Sequence, residues 1–365
     1  MRIKTSARVE EGPADASARL LLITSLYPTA DRPDVGTFVA TRVEAARRRG
    51  ERITVLAPAS YRGSTMRRYL RLALRAMQVP HGVDGVETHL LFPTGVIGAV
   101  VARRHGVPHV VYAHGSDVAV SARRSWIHRR IARLVARTAA AVIVNSPHTA
   151  GIVRDLGVEP VVISPGVDLA VFHPGSRDLA RRRVGLPIDG LIALFVGRLA
   201  EDKGADLFGS VLAAAPGWLG VMVGTGPLAS SIRARDPDVI QRGWVPSEGL
   251  PDWLRSADVL VVPSRHEGLG LAAIEALACG TPVVASSVGG LAATVRHGRT
   301  GLLVAPGDPG AMAAALRVLA DAGYRATLAA AAPDSVTEHA LEHSIDELDK
   351  VWRDLGVSMA PEPTG

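Results

Sequence analysis

Three stretches of this 365-residue sequence carry side chains whose types and spacing could do chemistry. The first is Gly197-Arg198-Leu199-Ala200-Glu201-Asp202-Lys203-Gly204, which follows an apolar run fit for a strand and precedes a helical pattern. Arginine and lysine between flanking glycines suit a diphosphate: glycine lets the backbone come close, and the cations neutralise the charge. Taken alone, a solvated loop with unrelated charges fits the same residues. The second stretch, Ser264-Arg265-His266-Glu267-Gly268-Leu269-Gly270-Leu271, leads through Ile274 to Glu275. Its glycines precede a helix whose first N–H groups would face an anion. Glu267 and Glu275 are the type of group that accepts hydrogen bonds from sugar or ribose hydroxyls. The third is His114-Gly115-Ser116-Asp117 after a strand. It reads either as a base with its orienter or as a turn whose Asp caps the next helix, and the cap is the preferred role for Asp117.

Short apolar strands alternating with helical spacing must position these loops. In the first half, strands are expected at 19–25, 53–57, 107–112, 141–145 and 160–163, with helices at 37–49, 125–138 and 147–156. In the second half, strands fit 191–196, 218–223, 239–242, 259–262, 282–285 and 301–304. The helices there fit 205–214, 229–234, 250–256, 271–278 and 311–320. Such alternation implies parallel sheets covered on both faces, and two blocks of it imply two doubly wound α/β domains. A chain of this length also exceeds what one core normally fills. The expected division is a tail at 1–18, a first domain at 19–172, a linker at 173–188 and a second domain at 189–340. A helix at 341–357 is expected to cross back to the first domain, with a tail at 358–365. Ligands of open α/β sheets bind beyond the carboxyl ends of the strands, where all three stretches fall.

Bulk composition narrows the class. A single cysteine, Cys279, excludes an intramolecular disulfide and reads as a small buried thiol in an apolar run. No stretch reaches the ~18–20 apolar residues of a transmembrane helix, and the start of the chain lacks the apolar core of a signal peptide. A cytoplasmic location is the resulting expectation. Residues 1–170 hold 24 Lys/Arg against 13 Asp/Glu, whereas residues 171–365 hold 17 against 22. Arg67, Arg68, Arg71 and Arg75 recur at helical spacing, as do Arg123, Arg124, Arg129, Arg130, Arg133 and Arg137. These faces read first as solvated surface, with peripheral contact to an anionic membrane as the alternative. Nucleic acid is disfavoured, because no aromatic platform interleaves the cations.

In combination, Glu267-Gly268-Leu269-Gly270 with Glu275 resembles the Glu-Gly-Phe-Gly-(x)4-Glu element of the family 4 retaining glycosyltransferases, which have the GT-B fold. The resemblance extends through Phe195 to Gly204, Val223 to Leu228, Gly280 to Ala285, Val288-Gly289-Gly290 and Gly301 to Val304. It includes Gly36-Thr37-Phe38-Val39, His114 to Asp117, Asn145-Ser146 and Pro165 to Asp168, covering roughly residues 19–320. It implies two Rossmann-like domains facing across a cleft, and a nucleotide-sugar donor transferred to a hydroxyl acceptor with retention. Arg198 and Lys203 would meet the donor diphosphate, Glu275 the ribose, and Glu267 and His114 the transferred sugar. Backbone at Leu269, Gly270 and Leu271 would meet sugar and phosphate, Gly36 would lie toward the phosphate, and the base would pack about Gly243 and Val245. No metal and no cofactor are expected, since no His/carboxylate cluster stands out. Leu269 departs from the family's Phe, and the short 58–86 stretch leaves the acceptor (glycan, lipid-linked sugar or small molecule) open. Rival readings are a sugar-nucleotide epimerase on the same fold and a non-catalytic nucleotide-sugar-binding partner.

Overall fold

The computed structural model describes residues 18–114 and 126–360, which fall into two units. One comprises the described residues of Met1–Gly166 together with those of Leu341–Gly365; the other is Val167–Ala340. The chain thus enters the second unit at Val167, ahead of the stretch expected as a linker. A basic run between Pro/Gly-rich segments looks like a connector, but residues 177–184 fold as a helix of the second unit, tied down by the buried Arg181.

The first unit runs β1 (Arg19–Ile23), α1 (Thr37–Arg48), β2 (Arg52–Leu56), α2 (Thr65–Met77), β3 (Gly85–His89) and α3 (Thr94–His105). It continues through β4 (His109–Ala113), α4 (Trp126–Thr138), β5 (Ala141–Val144), α5 (Pro147–Arg154) and β6 (Val161–Val162). All strand pairs are parallel, in the order β2-β1-β3-β4-β5-β6. Residues 115–117, with Asp117, and Arg123 and Arg124 lie outside the described residues.

The second unit runs α6 (Arg177–Val184), β7 (Leu191–Val196), α7 (Phe208–Ala213), β8 (Trp218–Val223), α8 (Ala229–Arg235), β9 (Ile240–Arg242) and α9 (Leu250–Ser256). Then follow β10 (Val259–Val262), α10 (Leu271–Ala278), β11 (Val283–Ser286), α11 (Leu291–Thr294), β12 (Gly301–Val304), α12 (Pro309–Val318) and α13 (Ala322–Ala331). Its sheet, also parallel, has the order β12-β11-β10-β7-β8-β9. The order reverses between β7 and β10, the kind of point beyond whose strand carboxyl ends open α/β sheets bind ligands. The helix expected at 205–214 begins as a 3-10 turn, Ala205–Leu207, before the α-helical part starts at Phe208.

The last helix, α14 (Leu341–Asp354), completes the first unit. Its Trp352 is fully buried against β3, where a Cβ on Gly85 would stand 2.6 Å from the indole ring. Only glycine leaves that space, so strand and helix sequences are matched at this point. Leu348 and Trp352 join Leu20, Leu22, Val110 and Ile143 in one core. Beside them, burial and the facing Asp349 carboxyl push the Glu51 pKa up to about 8. An arginine–aspartate pair, Arg49 with Asp346, closes the rim.

Candidate active site

In the second unit the sequence brings the charged loops together at the β7/β10 reversal. Gly204, with φ 66°, ends the first loop so close to the second that a Cβ there would lie 1.9 Å from the Pro263 carbonyl oxygen. The Arg265 and His266 N–H groups donate to the Asp202 carbonyl at 2.9 and 3.2 Å. Arg265 also forks onto Asp206 with two 2.7 Å bonds, a geometry that fixes direction as well as distance. Within this frame Lys203 Nζ donates to Glu267 Oε2 at 2.7 Å, and Ser264 Oγ donates to the same oxygen at 3.3 Å. Both charged side chains keep part of their surface open, 27% for Lys203 and 15% for Glu267. The pair is therefore pre-positioned yet accessible.

Arg198 stands differently. It leaves β7 on the same loop but pairs with Asp202 at 2.8 Å, largely in solvent. An exposed pair of this type holds little energy, so an anion can take the guanidinium at small cost. The loop Gly224–Pro227 packs on this segment: the Leu199 N–H donates to the Thr225 carbonyl at 2.8 Å, and the Leu228 N–H to the Leu199 carbonyl at 2.9 Å. A Cβ on Gly224 would meet the Gly197 carbonyl oxygen at 2.0 Å, which explains that glycine.

After Glu267 the chain turns through Gly270, φ 91°, into α10. Leu269 is buried in the core beneath. The N–H groups of Leu269, Gly270 and Leu271 make none of the turn or loop hydrogen bonds found among the described residues. They form a donor set at a helix start, where anions are stabilised. Glu275 follows one turn further on, half-buried, and burial pushes its pKa up to about 8. Gly243 and Val245 follow β9; the Gly224 N–H donates to the Gly243 carbonyl at 3.1 Å, tying that segment to the loop after β8.

Gly36 and His114 belong to the first unit. Gly36, φ 68°, is the N-cap of α1, and a Cβ there would lie 2.2 Å from the Leu26 carbonyl carbon. His114 leaves the carboxyl end of β4, with the Phe38 ring edge-on at 5.1 Å. It connects to a line of buried groups that motif spacing did not disclose. His114 Nε2 lies 2.7 Å from His89 Nδ1, and His89 Nε2 lies 3.1 Å from Glu87 Oε1. Glu87 in turn pairs with Arg42 from α1. The one sequence signal was a carboxylate inside Gly-Val-Glu-Thr-His, a strand buried along its whole length. Among the described residues, no group of three His, Cys, Asp or Glu side chains is placed to hold a metal ion.

Two parallel six-stranded units of this kind, with the solved structures similar to them, define the class as the GT-B fold. A sucrose-phosphate synthase structure from Thermosynechococcus elongatus is similar with TM-score 0.81 and 25% identity, over 93% of this chain and 99% of that one. The Anabaena protein HepE, solved with UDP and glucose, is similar with TM-score 0.77 and 20% identity, over 92% and 100%. Residues 31–171 match glycosyltransferase family 4, and residues 190–322 match the glycosyl transferases group 1. The D-inositol 3-phosphate glycosyltransferase of Acidothermus cellulolyticus is 37% identical, over 78% of this chain and 70% of its own. That of Nocardiopsis dassonvillei is 36% identical, over 77% and 73%. The chain belongs to the family 4, group 1 glycosyltransferases, and it is a glycosyltransferase.

Proposed function

We propose that the enzyme moves a sugar from a nucleotide-diphosphate donor to a hydroxyl of a cyclitol phosphate, with retention of configuration and without a metal ion. The observation that carries this is Lys203 held against Glu267 at the strand-order reversal, one cation and one hydroxyl acceptor on a single rigid frame. The acceptor class follows the relatives named for D-inositol 3-phosphate. Arg198, Lys203 and the N–H groups at 269–271 bind the diphosphate, Glu275 the ribose hydroxyls, and Glu267 a hydroxyl of the transferred sugar. Gly243 and Val245 border the base. The bond from the anomeric carbon to the phosphate oxygen breaks, and its electron pair stays on the diphosphate. The acceptor oxygen forms the new bond on the face being vacated, and its proton passes to the departing phosphate. Fixed cations aimed at charge that grows on the leaving group supply the stabilisation a metal would otherwise give.

Calorimetric titration with UDP-, GDP- and ADP-glucose, with and without EDTA, tests this reading. One donor is expected to bind at micromolar Kd, unchanged by EDTA. Binding that EDTA abolishes would overturn metal independence, and no binding by any of the three would overturn the donor site.

The partner surface we propose is an anionic membrane. Helices α2, α3 and α4 contain ten arginines and no acidic residue, and none of the ten forms an ion pair among the described residues. Among those arginines α2 exposes Met66, Leu70 and Leu74, and α4 exposes Trp126, Ile127 and Leu134. Arginine mixed with bare aliphatic and aromatic surface suits a lipid headgroup layer better than an acidic protein. No helix among the described residues is long and apolar enough to cross a membrane. The enzyme should sediment with phosphatidylglycerol vesicles and not with phosphatidylcholine vesicles, and Leu70→Glu with Leu74→Glu should release it. Equal recovery in both supernatants at low salt would refute the contact.

A further inference from the structure

Arg265 stands two residues before Glu267, where the sequence offers one more cation for a diphosphate. The structure commits it elsewhere. Its Nη1 donates to the Glu201 carbonyl at 2.6 Å and to Asp206 Oδ1 at 2.7 Å, and its Nη2 to Asp206 Oδ2 at 2.7 Å. Its backbone N–H donates to the Asp202 carbonyl at 2.9 Å. One residue therefore grips both short 3-10 turns, Glu201–Lys203 and Ala205–Leu207, and Lys203 lies between the gripped positions. Arg235, at the end of α8, donates to the Asp206 carbonyl at 2.8 Å and adds a second hold on that anchor. The Arg265 hydrogen bonds keep the Asp206 pKa below its ordinary value, so the carboxylate stays ionised and the fork persists near neutrality.

The consequence concerns the Lys203 ammonium. Lysine carries its charge on a flexible four-carbon stem, so the place of Nζ depends on where the main chain starts it and on the partner that receives it. The main chain of Lys203 is in the turn that Arg265 grips, and the receiving Glu267 is in the loop that holds Arg265. Arg265 thus sets the register between the two halves of a pair joined at 2.7 Å. Gly204 permits the close approach of the two loops, and Arg265 bonds across it.

We propose that Arg265 is a positioning residue for glycosyl transfer: with Asp206 it clamps the Lys203 turn to the Glu267 loop, so that the ammonium is already in place when the diphosphate departs. The inference rests on the reading that Lys203 meets that phosphate. It gives the three cations separate work. Arg198, paired with Asp202 largely in solvent, can leave its partner for the ligand; Lys203 is aimed, and Arg265 aims it.

Lys4, Lys203 and Lys350 are the only lysines of the chain, so nitrogen-15 NMR of the full chain labelled at lysine identifies Lys203 by its loss in Lys203→Ala. In Arg265→Ala the Lys203 ammonium signal should move toward its position in Glu267→Ala, which removes the partner. A signal unchanged from wild type overturns the clamp without any assay of turnover. With the nucleotide-sugar that binds in calorimetry and D-inositol 3-phosphate as acceptor, Arg265→Ala should lower kcat about tenfold to a hundredfold, the scale for a group displaced by ~1 Å, with donor KM near wild type. In the Lys203→Ala background the same change should cost less than about threefold, because no ammonium is left to aim. An equal loss in both backgrounds overturns the proposal. Asp206→Ala should reproduce the loss; if it leaves or raises kcat, the released guanidinium is itself a phosphate ligand and the clamp falls. Arg265→Lys keeps the charge without the fork and should rescue little, and it reads the same loss if the alanine variant does not fold. If Lys203→Ala keeps wild-type turnover, the phosphate contact of Lys203 is wrong. If Lys203→Ala loses turnover while Arg265→Ala keeps it, the contact stands and the clamp falls.

Discussion

Lys203→Ala is expected to lower kcat by about 10²–10³-fold, the loss seen when one fixed group facing transition-state charge is removed. Two effects add. The ammonium no longer meets the negative charge that accumulates as the sugar–phosphate bond breaks, and Glu267 loses the partner that holds it at 2.7 Å. Both act mainly during bond breaking, so kcat should fall more than donor KM rises. Lys203→Arg should not restore the rate, because a planar guanidinium cannot occupy the point position of an ammonium between Glu267 and a phosphate. Steady-state kinetics with each variant decide the matter. A kcat within threefold of wild type for Lys203→Ala would remove the residue from the chemistry. The fold should be indifferent, since Lys203 is part-exposed and lies outside the apolar cores.

The second large effect concerns stability. Asp258 is 3% exposed and bonds Arg181 Nη2 at 2.6 Å, Arg177 Nη1 at 2.7 Å and the Ile192 N–H at 2.8 Å, with Arg325 3.4 Å away. Arg181 is itself 1% exposed, so Asp258→Ala would leave a buried guanidinium without its counter-charge, bonded only to the Ser256, Ile188 and Gly190 carbonyls. Breaking one partner of such a pair costs about 3–5 kcal/mol. For a unit of this size that corresponds to a fall of on the order of 10 °C in Tm. Calorimetry should show the loss in the transition of the second unit, whose central strands β7 and β10 the cluster joins to α6. A Tm shift below a few degrees would mean that the Ser256, Ile188 and Gly190 carbonyls suffice to hold the Arg181 charge.

What the sequence disclosed follows a physical division. Lys203 and Glu267 were legible because each lies in a charged, glycine-bearing loop directly after an apolar strand, a local pattern whose chemistry can be read in one window. The alternation of strands and helices was equally local, and the two parallel sheets follow from it. Leu269 also behaved as its apolar type requires, entering the core. Glu87, His89 and Arg42 were not legible as a set, because their meaning comes from a helix, two strands and a third ring meeting in space. Arg181 misled for the opposite reason. It lies within the linker expected at 173–188, and only its pairing with the buried Asp258, 77 residues away, makes that helix an anchor of the second unit. The 3-10 start at Ala205 escaped likewise, since it is imposed by the close approach of Gly204 to Pro263.

The discontinuity of the first unit has a consequence for how the protein is born. Its sheet is complete by Val162, yet Leu348 and Trp352, which cover one face of that sheet, leave the ribosome only after the whole of the second unit. Val167–Ala340 is contiguous and can close its own cores while synthesis continues. Synthesis order therefore inverts sealing order. A ribosome paused near residue 340 carries one finished half and one whose oldest strands still expose a strip of aliphatic surface, and that nascent strip is where a chaperone would find its grip.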